Sequence, residues 1–285
     1  MGKVIVLHNQ KGGVGKTSIT YGLAHELASK GYKTLVIDCD GQANLTSDLL
    51  TAQQHSLVQK TIADAIISYS IGRGGALPVV NVRENLDLVP SGSRISGIDI
   101  VLSRTSNPSS VFLSLLKPLE KKYDIILVDL APGAGLLAMN ILSSADYVLV
   151  PSLLDDNSFR GTIKVLQFLK KYVPKLHIDA VGILLNQYSL FSRLTKSVYA
   201  NFAGSLSRWI LSTKIRRNVA VGMAMRQHVS FAEIDSNSNA ANDIKALADE
   251  LISKLKIASP GPIHLRAGDE ITITKSGVKI THRHE

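Results

Sequence analysis

The sequence predicts a doubly wound α/β fold: a mostly parallel sheet with helices on both faces. Three observations carry that reading. The candidate strands are near-continuous apolar runs rather than alternating ones, as parallel strands covered on both faces require. They alternate with helical patterns along the chain. The first run joins the first helical pattern through a glycine-rich loop, an arrangement suited to a ligand at the edge of such a sheet.

The elements follow in order. Strand candidate 3–8 holds Val4-Ile5-Val6-Leu7 and leads through the glycine loop into a helical pattern over 17–30. Further strand candidates lie at 34–38, 86–89, 124–129, 146–150 and 180–185, with helical patterns at 59–68, 108–121, 158–172 and 193–203. A last helical pattern, 238–257, precedes Ser259-Pro260-Gly261-Pro262, a turn-rich boundary that splits the chain into a domain over 1–258 and an extension over 259–285. In the extension, 270–275 and 278–282 alternate with period two about Ser276-Gly277, which predicts a β-hairpin. So short a hairpin needs packing support, from the sheet, a dimer partner or another protein. His264, His282 and His284 fall here and are read as solvated rather than as a metal site.

Composition narrows the class. A chain of 285 residues that is 45% hydrophobic can bury a full core. No apolar stretch reaches the length of a transmembrane helix, and no signal-peptide pattern opens the chain, so a cytoplasmic protein without a membrane partner is expected. The single cysteine, Cys39, excludes an internal disulfide framework and is read as a small packed side chain.

Residues 8–17, His-Asn-Gln-Lys-Gly-Gly-Val-Gly-Lys-Thr, carry the chemistry. Between a buried strand and a helix, Gly12, Gly13, Val14, Gly15 and Ser18 form a phosphate cradle of inward backbone N–H groups at a helix N-terminus. Lys16 would reach the β- and γ-phosphates, and the Thr17 hydroxyl would ligate Mg²⁺. The loop departs from the common form G-x-x-x-x-G-K-[ST], because Gln10 stands where glycine is usual and a second lysine, Lys11, precedes the glycine pair. A second lysine needs a second negative charge, which points to a nucleotide shared between two subunits.

Further motifs follow in order: Asp38-Cys39-Asp40-Gly41-Gln42-Ala43-Asn44, then Ile125-Ile126-Leu127-Val128-Asp129-Leu130-Ala131-Pro132, then Ile215-Arg216-Arg217-Asn218-Val219. Together with the loop, these make the chain resemble the ParA family of deviant Walker-type ATPases, which segregate plasmids and chromosomes, over roughly residues 1–257. Glycine replaces a usual proline at 41, Leu130 and Ala131 depart from D-T-P-P, and Arg216 replaces a proline. The resemblance implies ATP and Mg²⁺ as cofactors, Asp129 and Asp38 on the metal side with Thr17, and Asp40 orienting the attacking water. It implies that Lys11 crosses an ATP-dependent homodimer to the partner's nucleotide, as an arginine finger supplied in trans does. Asn186, ending an apolar strand, either reads the adenine edge or serves a turn. The nitrogenase iron protein shares the loop but needs two cysteines per subunit, which this chain lacks.

Charge is uneven. Of the net +9, seven positive charges lie between Ala180 and Ala232, a window with no Asp or Glu: Arg193, Lys196, Arg208, Lys214, Arg216, Arg217 and Arg226. A single-sign field attracts a polyanion, which predicts a surface for non-specific double-stranded DNA and a nucleoid-associated location. No helix-turn-helix pattern precedes the first strand, so sequence-specific recognition falls to a ParB-type adaptor that stimulates the ATPase, as the resemblance implies. The rival readings are a MinD-like spatial regulator and a non-catalytic module that uses ATP only to dimerise. The strand-like extension argues against the first, because those proteins end in an amphipathic membrane helix. Asp40 argues against the second.

Overall fold

The computed structural model describes residues 2–173, 176, 178–189, 193–260, 270–274 and 277–281. Its main sheet has eight strands, β1 (Lys3–Leu7), β2 (Thr34–Cys39), β3 (Val80–Arg83), β4 (Leu86–Val89), β5 (Ile125–Leu130), β6 (Tyr147–Ser152), β7 (Val181–Leu185) and β8 (Ile210–Lys214). The order is β3-β4-β2-β5-β1-β6-β7-β8. Every neighbouring pair is parallel except β3 with β4, so the doubly wound expectation holds.

Among the described residues, twelve α-helices cover the sheet: α1 (Lys16–Ser29), α2 (Asn44–Leu49), α3 (Ala52–Ser56), α4 (Ile62–Ser70), α5 (Ile98–Ser103), α6 (Val111–Leu116), α7 (Leu136–Leu142), α8 (Asp156–Tyr172), α9 (Arg193–Leu206), α10 (Ala220–Gln227), α11 (Phe231–Ile234) and α12 (Asn239–Leu255). The predicted helix over 108–121 is only α6 and a preceding 3-10 turn at Pro108–Ser110, because the chain turns back after Leu116 to enter β5. The edge strands β3 and β8 are additions to the expected set.

Pleating explains why the strands read as continuous apolar runs. Val4 and Val6 of β1 join one core with Ile126, Val128 and the inner faces of α4 to α9. Ile5 and Leu7 join the other, with Ile125, Leu127, α1 and α12. Each fully buried aliphatic side chain contributes about 1.5–3 kcal/mol, so both faces of β1 must stay apolar. β1 lies between β5 and β6, with the chain crossing to either side of it, and its C-terminal end is therefore the switch point where a ligand crevice opens.

The extension forms β9 (Glu270–Thr274) and β10 (Gly277–Thr281), which pair antiparallel only with each other among the described residues. Gly277 stands opposite Thr274, and among the described residues the hairpin does not extend the main sheet. His264, His282 and His284 lie outside the described residues.

Candidate functional site

The phosphate loop leaves β1 at His8 and enters α1 at Gly15, which takes a left-handed backbone, φ +91°, as the N-cap. No side chain caps α1. Its first N–H groups are left for an external acceptor, and the helix dipole favours an anion there. A Cβ at Gly15 would lie 2.2 Å from Nδ2 of Asn186, so glycine is required for both conformation and space. Gly12 and Gly13 face open space.

The charged groups converge behind this loop. Thr17 donates its hydroxyl to Oδ2 of Asp129 at 2.7 Å, whereas Oδ1 of Asp129 is buried without a partner among the described residues. Burial pushes the Asp129 carboxyl up to about 7, against the pull of the Thr17 hydrogen bond; Asp38 adds to the rise. An orphaned buried carboxylate oxygen beside a threonine hydroxyl fits a cation arriving from the loop side. Burial lowers the Lys16 ammonium, while Asp129 and Asp40 hold it up. Among the described residues its one hydrogen-bond acceptor is the Asn9 carbonyl at 3.4 Å, so it is poised for a stronger one. No cluster of three or more His, Cys, Asp or Glu among the described residues would hold a metal by itself. That fits Mg²⁺, which binds through one or two protein groups plus phosphates and water.

Asp38, expected on the metal side, is fully buried and hydrogen-bonded within its own loop. Its Oδ1 accepts from the Asp40 backbone, and its Oδ2 accepts from the Thr46 backbone and hydroxyl at 2.9 and 2.7 Å. Burial raises it to about 6 despite those bonds. Both oxygens thus help to order the loop that carries Asp40, a half-buried residue whose own Oδ1 accepts from Gln42 at 2.9 Å. Gly41 has a local reason too, since a Cβ there would meet Ser96 Oγ at 2.3 Å. Cys39 is a buried free thiol in the core, as expected of a packing residue.

Lys11, which the motif directs outward, folds back within this chain. Its Nζ donates to both Asp155 oxygens and to Ser158 Oγ, each at 2.9 Å. Asp155 is also the N-cap of α8, accepting from Ser158 N at 2.8 Å. Burial raises the Asp155 carboxyl, and the hydrogen bonds from Lys11 and Ser158 outweigh that and hold it low.

A cavity of about 210 Å³ adjoins the loop. Gly15 and Ser18 form one wall, Arg216, Arg217 and Asn218 another, and Phe231 and Ile244 supply apolar surface. Asn186 lines it but gives Nδ2 to the Val14 carbonyl at 2.8 Å, while its Oδ1 accepts from Gln187 N, which clamps the loop. Gln187 is a wall residue that the sequence reading missed, and Asn218, quoted there as part of a motif without a role, is another. Asp155 was missed as well, although an aspartate directly before a helical pattern is a recognisable cap signal.

Comparison with known proteins agrees with this geometry. Residues 2–179 match the family described as an AAA domain. The cell division protein PomZ of Myxococcus xanthus is 30% identical over 257 residues, covering 88% of this chain and 78% of PomZ. The chromosome partitioning protein ParA of the same organism is 28% identical over 262 residues, 91% of each chain. The chain belongs to the ParA family of P-loop ATPases. The solved structure of apo McdA from Cyanthece superimposes with a TM-score of 0.75 at 20% identity, covering 88% of this chain and all of that one, which shows the shared fold.

In this ParA-family chain the basic window has partners beyond its own sequence. The fold brings acids to it from outside. Arg216 donates through Nε and Nη2 to Asp243 of α12, with Nη2 at 2.6 Å, and Arg208 pairs with Asp179 at 2.5 Å. Arg216 and Arg217 line the cavity beside the loop. Lys214 lies over the Tyr188 ring at 5.5 Å, while Lys196 and Arg226 are exposed on α9 and α10. Arg193 opens α9, and its side chain is not among those described. Acids are therefore absent from the window along the sequence but present around it in space. No described helix is long and apolar enough to cross a membrane.

Proposed function

We propose that this chain is an ATP-driven partition ATPase whose ATP-bound dimer binds non-specific DNA and whose turnover, raised by a ParB-type adaptor, releases it. The observation that carries the reading is the joint presence of an uncapped α1, a poised Lys16, the orphaned Asp129 oxygen beside Thr17, and a second loop lysine, Lys11. Phosphoryl transfer asks for positioning and charge stabilisation, and this set supplies both. Thr17 and Asp129 are the residues that would hold Mg²⁺, which when bound would supply positive charge against the phosphates. Lys16 binds the β- and γ-phosphates. Asp40, fixed by the Asp38-ordered loop, accepts the proton of the attacking water. Lys11 leaves Asp155 for the partner's nucleotide, and Asn186 holds the loop in shape under the base. The cavity between Ser18 and Asn218 takes the nucleoside.

The likeness to PomZ favours a second reading in which the same cycle positions cell-division machinery. One experiment addresses both. Asp40→Ala is expected to dimerise with ATP and bind duplex DNA while losing turnover. Normal turnover in that variant removes Asp40 from the chemistry. Dimerisation without any DNA binding removes the partition reading and leaves a protein cargo.

A further inference from the structure

Among the described residues, a row of cations without ion pairs lies outside the window singled out by the sequence. Helix α8 exposes Arg160, Lys164, Gln167, Lys170, Lys171 and Tyr172 after its first turn, and no acid among them. Among the described residues, none of the four cations takes part in an ion pair within 4 Å. Asp156, one turn before Arg160, makes none either. This differs from Arg208 and Arg216, whose charges are committed to Asp179 and Asp243.

Helical geometry aligns the row. Positions 160, 164 and 171 fall within about 40° of one another around the axis, and about 16 Å separates the first from the last. Duplex DNA carries one phosphate per ~3.4 Å of axis on each strand, so the row spans roughly five of them. Phe159 of α8 packs edge-on against Phe202 of α9 at 5.0 Å, which sets α9 beside it. The exposed residues described on α9 are Lys196, Ser197, Ala200, Asn201, Gly204 and Ser205. They are one further cation and small groups that let a backbone approach closely. Tyr172, 42% exposed, is the only large apolar side chain on the exposed row, too little to insert into a bilayer.

We infer that the outer faces of α8 and α9, led by Arg160, Lys164 and Lys171, are the principal phosphate-binding surface of this chain for double-stranded DNA. The inference rests on the partition reading and gives that reading its surface. It is tested by titrating random-sequence duplex DNA with ATP-bound protein across a salt series. The proteins are the wild type, the triple variant R160Q/K164Q/K171Q and a control, K214Q/R226Q, drawn from the sequence window. The triple variant is expected to lose more than tenfold in affinity, with a log–log salt slope shallower by about 2 to 3, at roughly 0.9 for each phosphate no longer neutralised. Its basal ATPase and ATP-dependent dimerisation should match the wild type, and the control should lose far less. Wild-type affinity and slope in the triple variant overturn the inference while leaving the partition reading in place; so does a larger loss in the control. A wild type that binds no duplex overturns both. Variant-sensitive binding to phosphatidylglycerol vesicles without duplex binding overturns both in favour of a lipid surface.

Discussion

The Lys11–Asp155 ion pair makes a quantitative prediction about dimerisation. In the proposed ATP-bound dimer, each subunit opens that pair before Lys11 reaches the partner's nucleotide. The side chains are 30% and 40% exposed, so the pair is screened and contributes about 1 kcal/mol, well below a buried pair. Asp155→Asn removes the charge yet keeps a side-chain oxygen able to cap α8, so the fold is expected to hold. Two such pairs open per dimer, about 2 kcal/mol together, which is roughly a 30-fold tighter dimer in the variant. The assay is sedimentation of Asp40→Ala against Asp40→Ala/Asp155→Asn with ATP, since abolished turnover keeps the nucleotide intact. A dimer constant unchanged within about threefold, or a weaker dimer, refutes the idea that the pair opposes assembly. A lower thermal midpoint with a weaker dimer assigns Asp155 to α8 alone.

Three further outcomes follow from the site. Gly15→Ala must bear a left-handed backbone, about 1–2 kcal/mol of strain, and displaces the Asn186 amide. Its ATP affinity, read with a fluorescent analogue, should fall at least tenfold, and near-normal binding would remove Asn186 as the clamp. Asp243→Ala strips the acid that holds both the Arg216 backbone and side chain, with 9% of its own side chain exposed. A drop of about 2 kcal/mol in stability, as for lost hydrogen bonds to a charged group, and a raised KM for ATP are expected; an unchanged KM would separate this pair from the cavity wall. His8 is fully buried with neither ring nitrogen bonded among the described residues, and burial, aided by Lys16, lowers it to about 4. The unfolded chain then binds more protons than the fold between about 4 and 6.5, so this contribution to stability is present above 6.5 and disappears as pH falls to 4. Asp38 and Asp129, raised to about 6 and 7, act in the opposite sense, so only a comparison isolates the histidine. His8→Met should lose less stability than the wild type between pH 7.5 and 5; equal losses would show that His8 is not the group responsible.

The phosphate loop was legible because its information is local: ten consecutive residues fix a strand end, a left-handed glycine and a helix start. The central strands were legible because burial on both faces leaves no room for polar residues. The edges were not. β3 alternates half-buried and exposed positions over Val80–Arg83, and β8 ends in Ser212, Thr213 and Lys214, so neither shows the continuous run that marks a central strand. Helices α2, α3, α5, α7, α10 and α11 have eight residues or fewer, two turns or little more, too few to establish a 3.6-residue period.

Charge along the chain and charge in space differ for a related reason. A window of sequence counts neighbours along the chain, whereas a field is set by neighbours in space. Asp243 lies 27 residues from Arg216 and Asp179 lies 29 from Arg208, yet each neutralises its partner. The row on α8 was hidden conversely, because its buried Val165, Leu166, Phe168 and Leu169 dilute the cations along the sequence and only the helical period gathers them on one face. The same helix accounts for Lys11. Asp155 caps α8 and holds the loop lysine with one carboxylate, so the nucleotide site and the cationic row share a single rigid element. A lysine read from the motif alone points to a partner; read with its neighbours, it first has to leave its own chain.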